Sequence, residues 1–321
     1  MTPVVEIQDL QKYFSTPRGM LHAVDGVTLK IEAGKTMGVV GESGCGKSTL
    51  GRTIIHLQES TGGSIFFKGE DVTHVKSHRL NELRSEMQII FQDPYSSLNP
   101  RMTVEQTLRE PLKLSRRFTK DAIDDEVEQL MELVGIDQRM RTAYPHELDG
   151  GRRQRVGIAR AIALNPSFVV CDEPVSALDV SIQAQVLNLL RELQMKRGMS
   201  YMFVTHDLSV VRHISDDICV MYLGQLVETS PSKELFKKPL HPYTKALLSA
   251  IPSTDIHHPH KRIMLKGEIT SPINPKPGCR FAARCPYAIA ECEQPQKLDE
   301  VYPKHYVACC RCRELQQSER L

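Results

Sequence analysis

Apolar positions along the chain follow two rhythms. Met37-Gly-Val-Val40, Ser167-Phe-Val-Val-Cys171 and Tyr201-Met-Phe-Val-Thr205 are short unbroken runs. Such runs suit strands covered on both faces, where no polar alternation is needed. Between the last two, Ile182, Val186, Leu189, Leu190 and Leu193 recur at helical spacing and predict a helix from Val180 to Lys196. Thr103 to Arg141 is also helical in pattern, with charges throughout Asp121 to Glu132, and reads as an inserted subdomain. Strands alternating with helices over about the first 235 residues predict an α/β domain with its chemistry at the C-terminal ends of the strands. Prolines and histidines then thicken (Pro252, His257, His258, Pro259, His260, Pro272, Pro275, Pro277), a linker composition in which the histidines are expected to be solvated. There is no internal repeat, heptad run or low-complexity block.

Charge and composition narrow the classes. Lys plus Arg is 41 and Asp plus Glu is 39, a net charge of +2, which argues against an electrostatically driven nucleic-acid binder. The arginines near Arg152–Arg160 read as a partly exposed helix face. No run reaches the ~18 apolar residues that span a bilayer, and the N-terminus lacks a signal-peptide core. The expectation is a soluble protein that stays where it is made. Six of the nine cysteines, Cys279, Cys285, Cys292, Cys309, Cys310 and Cys312, fall in the last 43 positions. In an intracellular chain such a cluster reads as metal or iron–sulfur ligation before disulfides. Cys171 and Cys219 read as small buried residues.

The most specific chemistry is Gly41-Glu-Ser-Gly-Cys-Gly-Lys47-Ser48, a full match to G-x-x-x-x-G-K-S/T. It follows a strand and opens a helical pattern, Thr49 to Ile55, the context this phosphate-binding loop requires. Backbone N–H groups from Gly41, Ser43, Gly44, Cys45, Gly46 and Thr49 can curl round an anion at a helix N-terminus. Lys47 suits the β/γ-phosphates and Ser48 suits Mg²⁺. The run ending in Asp172-Glu173 supplies carboxylates: Asp172 for Mg²⁺ through water, and Glu173 to orient or deprotonate an attacking water.

With these motifs in place the sequence resembles the ATP-binding cassette (ABC) ATPases. Gln92, ending the run Met87-Gln-Ile-Ile-Phe91, is similar to the Q-loop glutamine. Leu148-Asp-Gly-Gly-Arg152 stands where the family carries the signature Leu-Ser-Gly-Gly-Gln. Ser176-Ala-Leu-Asp179 resembles the D-loop, His206 the switch histidine, and Phe14 (or Tyr13) the aromatic that stacks on adenine. Gln92-Asp-Pro-Tyr-Ser-Ser-Leu-Asn-Pro-Arg-Met102, Val220-Met-Tyr-Leu-Gly224 and His241-Pro-Tyr-Thr-Lys-Ala-Leu-Leu248 look like the oligopeptide/dipeptide/nickel importer branch, and the first of these like its F-type subunit.

The resemblance implies an α/β fold with a P-loop NTPase (RecA-like) core, a helical subdomain over roughly 93–165, and an N-terminal antiparallel β portion. A small Cys-rich C-terminal domain would follow, giving an ATPase domain over 1–235 and an extension over 236–321. It implies an ATPase that powers peptide import, with Glu173, His206 and Gln92 catalytic, and with Ser48, Gln92 and Asp172 around Mg²⁺. In this family ATP lies between one subunit's P-loop and the signature of another (Asp149, Gly150, Gly151 and Arg152 here, flanked by Asp179). Closure on ATP and reopening on hydrolysis drive the membrane partners. The implied partners are a second ATPase subunit, two transmembrane permease subunits and an extracytoplasmic substrate-binding protein, with no nucleic acid. The chain would then lie peripherally at the cytoplasmic face of the membrane, held through the permeases. A nickel or other small-solute importer, and a soluble non-transport ABC ATPase, are the alternatives. Cys279, Cys285, Cys292 and Cys309, spaced C-x5-C-x6-C-x16-C, resemble the family's C-terminal cysteine set. That set implies a 4Fe–4S cluster, with zinc as alternative, and Cys310 or Cys312 could replace Cys309.

Two signature positions depart from the pattern. Asp149 stands for Ser and Arg152 for Gln. A serine hydroxyl donates to phosphate, whereas an ionised carboxylate cannot. Two like charges about 4 Å apart at an effective dielectric of about 20 repel by roughly 4 kcal/mol, more than the ~1.5–3 kcal/mol of a hydrogen bond to a charged group. The expectation is a heterodimer with one slower site, against a tolerated variant with normal turnover.

Overall fold

The computed structural model describes residues 2–251, 262–265, 267 and 271–318. His257, His258 and His260 of the expected linker lie outside them. In chain order the elements begin β1 (Pro3–Thr16), β2 (Gly19–Glu32), β3 (Thr36–Val40), α1 (Lys47–Ile54), β4 (Gly62–Phe67), β5 (Glu70–Asp71), α2 (Ser77–Glu86) and β6 (Met87–Ile90). Next come α3 (Pro94–Ser97), α4 (Val104–Ser115), α5 (Lys120–Leu133), α6 (Gly150–Ile162), β7 (Phe168–Asp172), α7 (Val180–Arg197) and β8 (Ser200–Thr205). The rest are α8 (Leu208–Ile214), β9 (Asp217–Tyr222), β10 (Gln225–Pro231), α9 (Ser232–Lys237), α10 (Pro242–Ser249), β11 (Asp299–Tyr302), β12 (His305–Val307) and α11 (Cys312–Ser318). No described helix is long and apolar enough to cross a membrane.

The chain divides into two compact units. One comprises residues 1–5, 31–35 and 74–202. In it β6 and β7 pair in parallel, Met87 opposite Phe168 through Ile90 opposite Cys171, and β7 is buried throughout, as its unbroken apolar run requires. The helical stretch expected from Thr103 breaks at Arg116, which takes a left-handed backbone and caps α4. Thr119 then starts α5 by accepting from the Ala122 N–H. Thr103 and Gln106 form a reciprocal capping box at the start of α4. Val104, Leu108 and Leu112 from α4 and Ile123, Val127, Leu130 and Met131 from α5 are buried, a helical apolar stripe on each. The helix expected from Val180 runs to Arg197 and ends on Gly198 in the left-handed region, with Lys196 and Arg197 in its last turn.

The other unit comprises residues 6–30, 36–73 and 203–321. A four-stranded sheet runs in the order β2-β1-β4-β5. A second set is built around β3, which pairs in parallel with β9. β9 and β10 form an antiparallel hairpin whose two-residue turn, Leu223-Gly224, has positive φ at both positions and so matches the twist of its strands. The cysteine-rich end is stitched on here: β12 pairs antiparallel with β10 and β11 with β12. Beneath that seam Glu228, fully buried, meets Nε2 of His305 at 2.7 Å and accepts the N–H groups of Leu240 and His241. The imidazole of His241 is pushed down to about 4 by burial, against the pull of Glu228.

Candidate active site

The phosphate loop grows out of β3, in which every residue is buried. Gly41 and Gly46 are required by space as well as by φ. A Cβ at Gly41 would stand 2.1 Å from the Met221 carbonyl oxygen, and one at Gly46 1.9 Å from that of Ala23. Gly46 is the N-cap of α1 and offers no side-chain cap, so the first N–H groups of that helix are not claimed by a capping side chain. Lys47 is buried, and its Nζ donates to the carbonyl oxygens of Gly41 (2.8 Å) and Glu42 (2.9 Å), with the Cys45 sulfur at 3.7 Å. Burial pushes the Cys45 thiol up against the opposing field of Lys47. Ser48 and Thr49 are half-buried in the first turn, Ser43 and Gly44 are exposed on the loop, and His206 is exposed just beyond β8.

The two candidate aromatics separate. Tyr13 stacks on His22 with centroids 4.0 Å apart, and its hydroxyl donates to Asp25. Burial together with Asp25 raises its phenol well above the usual range. Burial opposes ionisation of Asp25, but the Tyr13 hydroxyl, Arg280 and His22 outweigh it and hold that carboxyl below the usual range. Phe14, next along the strand and hence on its opposite face, has the Lys12 ammonium 4.9 Å from its centroid.

In the other unit, Asp172 is buried at the end of β7. Glu173 follows with φ of 47°, a conformation uncommon for a residue with a Cβ and typical of functional sites. Gln92 Nε2 donates to Glu173 Oε2 at 2.8 Å, so the Q-loop amide and the candidate base are in direct contact. Asp179 caps α7 by position, without a side-chain hydrogen bond. The altered signature opens α6. Asp149 is its N-cap, Oδ1 accepting from the Arg152 N–H at 2.8 Å, while Oδ2 lies 3.5 Å from Arg152 Nε. Both side chains are about half exposed, 52% for Arg152 and 55% for Asp149. Gly151 has no room for a Cβ, which would meet Ile182 Cγ2 at 2.7 Å.

Cys279, Cys285, Cys292, Cys309 and Cys310 line one small pocket together with His241, Phe281 and Arg311. The Cys292 and Cys310 sulfurs are 3.8 Å apart, so Cys310 joins the four positions expected from spacing, whereas Cys312 turns into a separate apolar cluster with Leu240 and Val307. Burial raises the thiols of Cys279 to about 11 and of Cys309 to about 12. Among the described residues no three His, Cys, Asp or Glu side chains converge as a single metal ion would need, so the expectation of a bound metal centre is not borne out by convergence on one point. Cysteine is the ligand type of a 4Fe–4S group, and five cysteines line the pocket where such a group takes four. Each iron of such a group takes one cysteine, so the sulfurs need not meet at one point. Sequence spacing did not reveal Asp25, Glu42, Arg280 and Arg284 as participants. Arg280 and Arg284 merely adjoin two cysteines, and their partners lie more than 200 residues away.

Comparison with known proteins gives two family matches: "ABC transporter" over residues 24–176 and "Oligopeptide/dipeptide transporter, C-terminal region" over residues 227–292. The oligopeptide transport ATP-binding protein AppF of Bacillus subtilis is 49% identical, covering 95% of this chain and 96% of its own. OppF of Salmonella typhimurium, also an oligopeptide transport ATP-binding protein, is 49% identical over 95% of this chain and 92% of its own. Among solved structures, the ATP-binding cassette MJ0796, as a post-hydrolysis dimer bound to ADP and Pi, superposes with a TM-score of 0.66 at 26% identity. It covers 71% of this chain and 98% of that one. CbiO1 of Clostridium perfringens, part of an ABC transporter complex, gives 0.66 at 26% identity over 74% and 92%. The fold is that of an ATP-binding cassette.

Proposed function

This chain belongs to the ATP-binding subunits of ABC-type oligopeptide transporters, and from that premise we propose how its residues work. It is an ATPase that powers peptide import. The observation that carries the assignment of roles is the phosphate loop: buried strand, glycines that only glycine can satisfy, an inward-drawn Lys47 and a helix start with no side-chain cap. Backbone N–H groups from Gly41 to Thr49 hold the phosphates, Lys47 neutralises the β/γ oxygens, and Phe14 stacks on adenine, since Tyr13 is engaged with His22 and Asp25. Ser48, Asp172 and Gln92 would hold Mg²⁺, which neutralises charge developing on the transferred phosphoryl group. Glu173 positions and deprotonates the attacking water, with Gln92 orienting its carboxylate, and His206 contacts the γ-phosphate.

The partners are two permeases, an extracytoplasmic substrate-binding protein and a second ATPase subunit with an ordinary signature. The chain lies at the cytoplasmic face of the membrane through the permeases. The ATPase domain ends near residue 235, and the extension carries the pocket in which Cys279, Cys285, Cys292 and Cys309 or Cys310 would hold a 4Fe–4S cluster. Such a group supplies electron transfer or a rigid four-point cross-link. Two measurements test these readings. Peptide uptake into vesicles bearing the whole complex should require ATP and stop with Glu173→Gln; ATP-independent uptake would refute the transport role. Anaerobically purified chain should carry iron and acid-labile sulfide; zinc without sulfide would refute the cluster.

The dimer is read as asymmetric. The site built on this chain's own Lys47 and Glu173 turns over normally, and the site capped by Asp149 and Arg152 is slower. Equal loss from Glu173→Gln and from the equivalent change in the partner would sink that reading.

A further inference from the structure

The segment between the first two pocket cysteines grips the phosphate loop. Arg284, adjacent to Cys285, meets Glu42 with two parallel contacts, Nη1 to Oε2 at 2.8 Å and Nη2 to Oε1 at 3.2 Å. The Arg284 side chain is 9% exposed and that of Glu42 24%, so solvent screens this bidentate pair only in part. Glu42 is the second residue of the loop. Its carbonyl accepts from Lys47 Nζ, and its N–H donates to the Tyr243 hydroxyl at 2.9 Å. Tyr243 is itself buried against Phe281, which lies between the two arginines in sequence, with centroids 5.4 Å apart. At the other end, Arg280, adjacent to Cys279, pairs with Asp25 and donates to the Leu223 carbonyl. Asp25 in turn holds the Tyr13 hydroxyl, one residue from Phe14. Seven residues whose ends are two pocket cysteines thus brace the phosphate loop and the strand bearing the aromatic, all within one compact unit.

We propose that Arg280 and Arg284 are positioning residues for nucleotide binding, and that through them the cysteine pocket and the phosphate loop are coupled. This rests on reading residues 41–49 as the nucleotide site. If the segment Cys279–Cys285 orders the loop for nucleotide, nucleotide on the loop in turn favours the ordered segment, because coupling free energies are reciprocal. An arginine that merely stabilised the fold would give no such reciprocity.

The test uses the full chain, reduced, with a fluorescent ATP analogue and Mg²⁺. Arg284→Gln should weaken analogue binding about tenfold, the size of a hydrogen-bonded charge pair. Arg284→Lys, which keeps the charge but loses the second prong, should weaken it about threefold. In wild type the analogue should slow amide hydrogen exchange of the segment Cys279–Cys285, read by peptide mass spectrometry, at least about threefold; in Arg284→Gln the slowing should vanish. Should Arg284→Gln not fold, the lysine variant carries the same two readouts. Wild-type affinity in both variants, or hydrogen exchange of the wild-type segment indifferent to nucleotide, overturns the coupling. Wild-type chain that bound no analogue would overturn the nucleotide reading itself, and the coupling with it.

Discussion

At the phosphate loop, α1 begins after Gly46 with no side chain capping its first turn. At the other glycine-rich loop, α6 begins after Asp149, whose carboxylate takes the N–H of Arg152. Both loops place glycines at a helix start, ahead of α1 in one and in the first turn of α6 in the other, and both present a helix N-terminus that favours an anion. One end leaves that favour to a ligand. The other already has an anion of its own, built into the chain. For the fold the exchange of Ser for Asp is nearly neutral, since the two are equivalent N-caps. For a phosphate approaching α6 it is not, because a neutral donor has become a charge of the wrong sign. A substitution that the helix does not register can therefore alter the chemistry in front of it.

The largest effect expected from this contrast is at the uncapped end. Lys47→Ala removes the buried ammonium that lies against the loop carbonyls, and should cut hydrolysis by at least about a hundredfold, the scale of losing a preorganised electrostatic contact. Steady-state phosphate release by the complex checks it. Loss of less than about fivefold would mean that the loop does not bind phosphate through this residue. Next comes Gln92→Ala. Glu173 would keep its carboxylate but lose the 2.8 Å contact that orients it, so turnover should fall about tenfold, with analogue affinity changing less than turnover. An equal fall in affinity would instead make Gln92 mainly a binding residue.

The contrast also explains what the sequence disclosed. The phosphate loop is legible because its needs are local: glycine where φ is positive and space is absent, a buried strand before it, a helix after it. The apolar runs ending at Cys171 and Thr205 gave β7 and β8 within a residue or so at each end for the same reason. The Gln92–Glu173 bond spans 81 residues, the Arg284–Glu42 pair 242 and the Arg280–Asp25 pair 255. No local spacing encodes such meetings; they exist only once the sheets have formed. The seam of β12 on β10, with His305 against buried Glu228, is of the same kind. At the signature, the sequence alone suggests a protein-like dielectric around the Asp149 charge. The side chain is about half exposed and already paired with an N–H and with Arg152, so solvent and Arg152 take up part of that repulsion.

The smallest and most discriminating effect is expected at this half-exposed carboxylate. At a dielectric near that of water, two unit charges about 4 Å apart repel by about 1 kcal/mol, which corresponds to roughly fivefold in rate. The measurement belongs in a complex whose own chain carries Glu173→Gln, so that only the site capped by Asp149 and Arg152 turns over. There Asp149→Ser should raise hydrolysis about fivefold and leave thermal stability unchanged, since the cap is preserved. Asp149→Ala, unlike Asn, which would bring an amide donor of its own, separates the two causes: an equal rise assigns the slow site to the charge, and no rise assigns it to the missing donor. Asp149→Ala removes charge and cap together, and should cost about 1 kcal/mol of stability while still relieving the repulsion. If Asp149→Ser leaves turnover where it was, the carboxylate is only a helix cap, and the two helix starts differ in structure without differing in function.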